Sequence, residues 1–289
     1  MKKILILGSG GMLGCQVVKK LKNIKNVKLY VTYRKKKIIN YKNIKLIKFD
    51  ATNPESLNKY TSSFDYVINC IGIIKPYIDE KNQDSIHNAI IVNSTLPFCL
   101  SKIFNRKKTK IYQIATDCVF SGNLGNYIET DKHDCIDVYG KTKSLGEIKA
   151  ENFYNIRCSI IGPELKNKLS LLEWFINSPF KEKINGFSNH DWNGVTTKAF
   201  GEVIKTIIQK KIKIPNNFHL VPKNIVSKFE LLKILQKKYN RNDIIITKTN
   251  SNQSINRTIS TIYKNINKKI WQNTLYKKIP TINELIMDL

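Results

Sequence analysis

The stretch "KKILILGSGGMLGCQVV", residues 2–18, allows few folds. An apolar run of strand type gives way at once to Gly8, Gly10, Gly11 and Gly14, and then to a segment patterned as a helix. Glycines at that spacing permit a tight turn and a close backbone approach, and a helix opening on such a turn aims its first N–H groups at an anion. On the first strand of a strand–helix–strand unit, the pattern predicts a pyrophosphate cradle made by Gly8, Gly10, Gly11, Met12, Leu13 and Gly14.

The segments that follow continue the alternation. "VKLYVTY" (27–33), "IKLIKF" (44–49), "FDYVINCIG" (64–72), "TKIYQIATDCVF" (109–120) and "FYNIRCSIIG" (153–162) read as nearly continuous apolar strands. Helical patterns separate them in "NPESLNKYTSS", from Gln83 to Asn105, and around Tyr139. Repeated strand–helix–strand units imply right-handed crossovers and a sheet covered on both faces. The expected fold class is therefore α/β, a Rossmann-type doubly wound parallel sheet over residues 1–162. Residues 163–289 are expected to form mainly a smaller C-terminal α/β substrate lobe, with segments near 195–221 returning to the first domain. In that lobe "LSLLEWFI" and "TKAFGEVIKTIIQKK" read as helices, Ser227 and Glu230 make a capping box, "DIIITKT" reads as a strand and "TINELIMDL" as a last helix.

Charge bears on the choice of partner. The net charge is +27, from 49 Lys and Arg against 22 Asp and Glu, but the lysines are spread along the chain, the densest run being "TYRKKKIINYKNIKLIK" (32–48). That spread predicts a solvated basic surface and no nucleic-acid partner; it also favours encounter with a polyanionic small substrate. No run approaches the roughly 18 apolar residues of a membrane span, so no membrane association is expected and the chain is placed in the cytoplasm. Six cysteines stand far apart with no Cys-Xaa-Xaa-Cys, which predicts reduced, buried thiols and no metal site.

Cofactor choice is written near the end of the second strand, where an acid would bind the 2′-hydroxyl of NAD. Here stand Tyr33 and Arg34, followed by lysines, and Arg suits a 2′-phosphate. NADPH is the expected cofactor, with NADH as the alternative. Asp50, next to Ala51 at the end of the third strand, is placed either to accept the adenine amino group or to cap a helix. Asn69, Cys70, Ile71 and Gly72 end the fourth strand, where the backbone passes beneath a dinucleotide.

Strand five ends in "ATDCVFSG", with Thr116 at its carboxyl end 23 residues before Tyr139, and Lys143 lies one helical turn beyond Tyr139. "GSGGMLG", "NCIG", "ATDCVFSG", "YGKTKSLGE" and "IRCSIIG" follow one another as in the extended short-chain dehydrogenase/reductases. "TDCVFSG" and "YGKTKSLGE" most resemble the branch of dTDP-4-dehydrorhamnose reductases and related sugar-nucleotide reductases. The resemblance covers residues 1 to about 162 well and continues faintly through "WNGVTT".

That resemblance implies a catalytic triad. Tyr139 would protonate the alkoxide left by hydride transfer, Lys143 would lower the phenol pKa and hold the cofactor ribose, and Thr116 would donate a hydrogen bond to the substrate carbonyl. Asn93 resembles the helix asparagine that supports the active-site water network and is counted with the cofactor residues. Cys118, Phe120, Arg157, Trp192 and Thr196 are candidates to touch a nucleotide-sugar substrate. Glu147 is expected to pair with a neighbouring lysine or to cap structure. Two positions depart from the branch, which usually has Tyr at Cys118 and commonly Asp at Ser121.

The expected activity is thus NADPH-dependent reduction of a nucleotide-linked 4-keto-6-deoxy sugar for surface polysaccharide or O-antigen synthesis. The alternatives are a UDP-N-acetylamino-sugar reductase or epimerase of an L-fucosamine-type pathway, and an epimerase or 4,6-dehydratase that keeps NAD bound. Cys118 beside Asp117 counts against the dehydratase, which carries an acidic pair there. From another class, the branch resembles a non-catalytic, NADP-binding regulatory subunit of methionine adenosyltransferase. By analogy with the fold, a homodimer is a candidate assembly.

Overall fold

The computed structural model describes residues 1–35, 44–60, 64–105, 109–165 and 168–289. Residues 36–43 of the densest basic run, and 61–63 at the end of "NPESLNKYTSS", lie outside the described residues.

The chain alternates as its periodicity predicts: β1 (Lys2–Leu7), α1 (Met12–Leu21), β2 (Val27–Tyr33), β3 (Ile44–Lys48) and β4 (Tyr66–Asn69). Next come α2 (Gln83–Ile90), α3 (Leu96–Ile103), β5 (Lys110–Ala115), α4 (Val138–Leu145) and β6 (Phe153–Arg157). "NPESLNKYTSS" forms a 3₁₀ turn at Pro54–Tyr60 rather than an α-helix. The Gln83–Asn105 segment is not one continuous α-helix: Ile91–Thr95 is a π-helical stretch that leads into α3. Pro97 explains the break, because it has no N–H to give to the Asn93 carbonyl four residues earlier.

Beyond β6 lie β7 (Ile160–Ile161), α5 (Leu171–Ile176), β8 (Lys183–Phe187), β9 (His190–Trp192), β10 (Val195–Thr196), α6 (Thr197–Lys210) and β11 (Asn217–His219). The chain ends with β12 (Val226–Ser227), α7 (Lys228–Lys238), β13 (Ile245–Thr249), β14 (Ile255–Asn256), α8 (Lys264–Asn273) and α9 (Ile282–Met287). The 153–162 segment is divided. β6 stays in the central sheet, while β7 pairs with β10 outside it.

Seven parallel strands form the central sheet in the order β11-β6-β5-β4-β1-β2-β3. Both faces are apolar and covered. α1, α6 and α8 pack on one face through residues such as Val17, Phe200, Val203 and Trp271. α3 and the Pro54–Tyr60 turn pack on the other through Leu57, Leu96, Leu100 and Phe104. This two-sided burial is what a fully apolar strand such as Ile4–Leu7 requires, since both of its faces leave water. A separate apolar core joins α5, α7, α9, β8 and β13 around Leu172, Phe175, Leu231 and Leu235. The strand order reverses between β1 and β4, so a crevice opens at their carboxyl ends, where ligands of such sheets bind.

Candidate active site

The glycine turn after β1 is shaped by contact distances. Gly8 has φ +78°, and a Cβ there would lie 2.8 Å from Ile71 Cγ1. A Cβ on Gly14 would meet the Gly8 carbonyl oxygen at 2.1 Å, so α1 packs against the turn at a distance only glycine permits. The Gly11 N–H donates to the Gly8 carbonyl (2.9 Å). No side chain caps the start of α1 at Gly11, which leaves helix N–H groups open to an anion. The turn thus fits a dinucleotide pyrophosphate. Met12 is half-buried, whereas the Leu13 side chain lies in the core, so only its backbone can serve that cradle. Ser9 and Thr32 brace the turn: Ser9 Oγ donates to the Thr32 carbonyl (2.7 Å) and Thr32 Oγ1 accepts from the Gly8 N–H (3.0 Å).

At the nucleotide end, Tyr33 is half-buried and Arg34 exposed. Asp50 closes its own turn, accepting from the Thr52 N–H (3.1 Å) and Oγ1 (2.9 Å). Those hydrogen bonds, with Arg34 and Lys35 nearby, hold its carboxyl below the usual range. Ala51 packs on the neighbouring core. Asn69 does not present its side chain to a ligand. It is fully buried, giving Nδ2 to Gln113 Oε1 (2.7 Å) and accepting from the Ile71 N–H (3.1 Å), and so shapes the Cys70–Gly72 backbone. Asn93 is likewise internal, clamping both the N–H (2.9 Å) and the carbonyl (3.0 Å) of Ile73 while giving Nδ2 to Thr142 Oγ1 (3.2 Å).

The structure brings Thr116, Tyr139 and Lys143 together. Thr116 follows β5, its hydroxyl accepting from the Cys118 N–H (3.2 Å) and donating to Asp117 Oδ1 (3.2 Å). α4 starts on Asp137, whose carboxylate caps the Gly140 N–H (2.7 Å) and pairs with Lys75 (3.0 Å). A Cβ on Gly140 would lie 2.4 Å from the Cys118 carbonyl oxygen and 2.6 Å from Cys135 Cβ, so the helix meets the strand-end turn backbone to backbone. That contact sets Tyr139, on α4, beside Thr116 at the end of β5.

Burial pushes the Tyr139 phenol well above its ordinary range; Cys118 adds to the rise and the Thr116 hydrogen bond opposes it. The sequence reading gave Lys143 the task of lowering that phenol. Instead the buried Lys143 ammonium donates to the Ile114 carbonyl (2.8 Å), and burial, opposed first by Glu147, lowers its own pKa to about 8. Burial also raises the Asp117 carboxyl and lifts the Cys118 thiol to about 12, which leaves that thiol inert at neutral pH.

A cleft of about 250 Å³ adjoins this group, lined in part by Asp117, Cys118, Ser159, Trp192, Lys228 and Arg257. Of the five expected substrate residues, Cys118 and Trp192 line it, and the Trp192 indole N–H is fixed on Ser159 Oγ (2.8 Å). Three do not, and the reading is corrected. Phe120 is fully buried, stacked on Tyr127 at 4.3 Å. Thr196 is fully buried and caps α6 through the Ala199 N–H (3.2 Å). Arg157 is spent on a buried network: Glu147 takes Nη2 (2.6 Å) and Nε (2.8 Å), His219 takes Nη1 (2.9 Å) and His133 takes Nη2 (2.9 Å). Glu147 therefore pairs with an arginine, not with a lysine. Lys228 and Arg257 escaped the sequence reading; their signal was present only as a cation at the start of a capped helix and an arginine in "INRT".

All six cysteines are unpaired. Among the described residues no group of His, Cys, Asp and Glu is arranged to hold a metal, and no helix is long and apolar enough to cross a membrane.

The doubly wound parallel sheet, with its glycine turn at the carboxyl end of β1, is a Rossmann-type α/β fold. More narrowly, the chain belongs to the RmlD substrate binding domain family, which it matches over residues 1–284. No curated protein sequence matches it significantly. Among solved structures it is similar to a dTDP-4-dehydrorhamnose reductase from Clostridium acetobutylicum (21% identity, TM-score 0.74, covering 99% of this chain and 97% of that one). It is also similar to the Bacillus anthracis dTDP-4-dehydrorhamnose reductase in complex with NADP (16%, TM-score 0.76, 99% and 98%). A Bacillus anthracis dTDP-glucose 4,6-dehydratase in complex with NAD shares the fold as well (14%, TM-score 0.76, 100% and 95%).

Proposed function

We propose that the protein is an NADPH-dependent reductase of a nucleotide-linked 4-keto-6-deoxy sugar, acting in the cytoplasm on a precursor of surface polysaccharide. The observation that carries the reading is the close packing of α4 on the turn after β5, which places Tyr139 beside Thr116, with Lys143 one turn along the helix. Bound on the glycine turn, the reduced nicotinamide supplies a hydride to the substrate carbonyl carbon.

The protein's part is to hold and move the proton. Tyr139 stays protonated throughout the neutral range, because burial raises its pKa, so it is a ready donor to the strongly basic oxygen that forms on the sugar. Thr116 turns its one hydroxyl proton from Asp117 to that oxygen and orients it. Lys143 contributes positive charge on the same face of α4. Arg34, exposed at the end of β2, supports a preference for the 2′-phosphate of NADPH.

The test is NADPH oxidation with a panel of dTDP- and UDP-linked 4-keto-6-deoxy sugars. Turnover of one of them supports the reading and names the substrate; tight NADPH binding without turnover of any would transfer it to a binding subunit. Replacing Arg34 by Ala should weaken NADPH much more than NADH, and equal weakening would remove the NADPH preference.

A further inference from the structure

α4 begins on a turn that holds itself poorly. Its first residues, Val138, Tyr139 and Gly140, include the proposed proton donor, and the N–H groups of a first helical turn have no partner inside the helix. Gly140 permits the close contact with the Cys118 turn, yet glycine is among the weakest helix formers. The turn that aims Tyr139 is therefore the part of α4 most in need of outside support.

That support comes from a distant segment. Glu80, 58 residues before Val138, accepts the Val138 N–H on Oε1 (3.0 Å). Lys75 reaches the same helix end, donating to Asp137 Oδ2 (3.0 Å) and leaving Oδ1 for the Gly140 N–H (2.7 Å). One connection, from β4 to α2, thus grips both the residue that caps α4 and the residue that opens it. A carboxylate also has the right charge there, since a helix dipole is positive at its start.

The connection is braced along its length. Asn93 clamps both backbone groups of Ile73 at its beginning. Pro76 lies in a 3₁₀ turn at Lys75–Tyr77, closed by the Tyr77 N–H on the Ile74 carbonyl (2.9 Å) and the Ile78 N–H on the Lys75 carbonyl (3.1 Å). Asp79 accepts from the Lys81 N–H (3.0 Å) and gives its own N–H to Ser85 Oγ (2.9 Å), while Asn82 caps α2 through the Ser85 N–H (3.0 Å). Glu80 rides on the turn between Asp79 and Asn82. Being exposed, its carboxylate gains little from one hydrogen bond; what it gives α4 is a fixed point next to Tyr139.

We propose that Glu80 is a positioning residue for the reduction: by holding the Val138 N–H from the β4–α2 connection, it fixes the first turn of α4 and with it the reach of Tyr139 to the substrate oxygen. It acts through Tyr139 alone. The inference rests on the reductase reading above, in which Tyr139 delivers the proton.

The experiment compares full-length wild type with Glu80→Ala, Glu80→Gln and Asp84→Ala, by NADPH oxidation on the 4-keto sugar that wild type turns over and by amide hydrogen exchange in the NADPH complex. Glutamine keeps the accepting oxygen, whereas Asp84→Ala removes an exposed charge from the first turn of α2. In Glu80→Ala kcat should fall about tenfold or more with KM for NADPH unchanged, and Glu80→Gln should stay within about threefold of wild type, as a misplacement of a fraction of an ångström implies. Exchange at Gly140 and Lys141, whose N–H groups are bound to Asp137 and not to Glu80, should quicken about tenfold in Glu80→Ala alone, while the amides of β1 and β5 keep their wild-type rates.

Faster exchange confined to Val138, kcat within about twofold of wild type in Glu80→Ala, or an equal loss in Asp84→Ala would overturn the proposal, because no misplaced reach of Tyr139 would remain to explain. A wild type that turns over no sugar is a failure of the reductase reading, and it is told apart from this one: exchange at Gly140 and Lys141 still decides whether Glu80 holds the turn that carries Tyr139.

Discussion

Glu147 and Arg157 are locked together behind α4, the carboxylate taking Nη2 at 2.6 Å and Nε at 2.8 and 3.0 Å, with both side chains almost wholly out of water. Removing one partner strands the other charge. Glu147→Gln should destabilise the protein by about 3–5 kcal/mol, whereas a well-packed apolar pair at both positions should recover most of that loss. Urea unfolding of the three proteins at one NADPH concentration checks this, and a loss below 1 kcal/mol would contradict it.

The same carboxylate is the strongest influence keeping Lys143 charged against burial. With the Lys143 pKa at about 8, kcat/KM for NADPH, which reports the free enzyme, should fall as pH rises through about 8. In Glu147→Gln the fall should begin at lower pH; Lys143→Arg should be slower but lack it. Stability moves the other way. The folded value lies below the ordinary 10.5, so the unfolded chain binds more protons between pH 8 and 10.5, and the cost of burying Lys143 fades as pH rises through that window.

Arg157 also fixes two histidines, because arginine can only donate. Nε2 of His133 and of His219 must accept from it, which puts the remaining proton on Nδ1, donated to Ser144 Oγ (2.6 Å) and to the Ser260 carbonyl (2.7 Å). Burial lowers both pKa values, that of His219 to about 4. Nitrogen NMR should find both rings neutral at pH 7 and protonated on Nδ1. As pH falls from 6.5 towards 4 the unfolded chain takes up the extra proton, so stability should fall with it. An Nε2–H tautomer would contradict the network.

Gly140 lets α4 reach the Cys118 turn, so Gly140→Ala should push Tyr139 away from Thr116. Turnover should drop by about a hundredfold, the scale of a 1 Å misplacement, while NADPH affinity changes little. Wild-type turnover in that variant would show that the close contact is dispensable.

Local signals were legible. The glycine turn, the Tyr139–Lys143 spacing and the Ser227–Glu230 capping box each depend on residues within a few positions, and the capping box forms with both of its reciprocal hydrogen bonds. Long-range pairing was not. Nothing near Arg157 announces Glu147, His133 and His219, and nothing near Lys228 announces Asp117 and Arg257. α8 went unread because lysine and asparagine dilute its apolar face, although Ile266, Ile270 and Trp271 fall at helical spacing on one side. The break before α3 was readable from Pro97 but was absorbed into one long apolar segment.

The central claim is that Tyr139 delivers the proton in a cofactor-dependent reduction. Its most direct test compares NADPH oxidation by wild type and Tyr139→Phe on the same nucleotide-linked 4-keto sugar, with NADPH binding measured alongside. The variant should bind NADPH as wild type does and lose at least about a hundredfold in turnover, the lower end of what general acid catalysis supplies. Turnover within a few-fold of wild type would contradict it, since the phenol would then have no part in the chemistry.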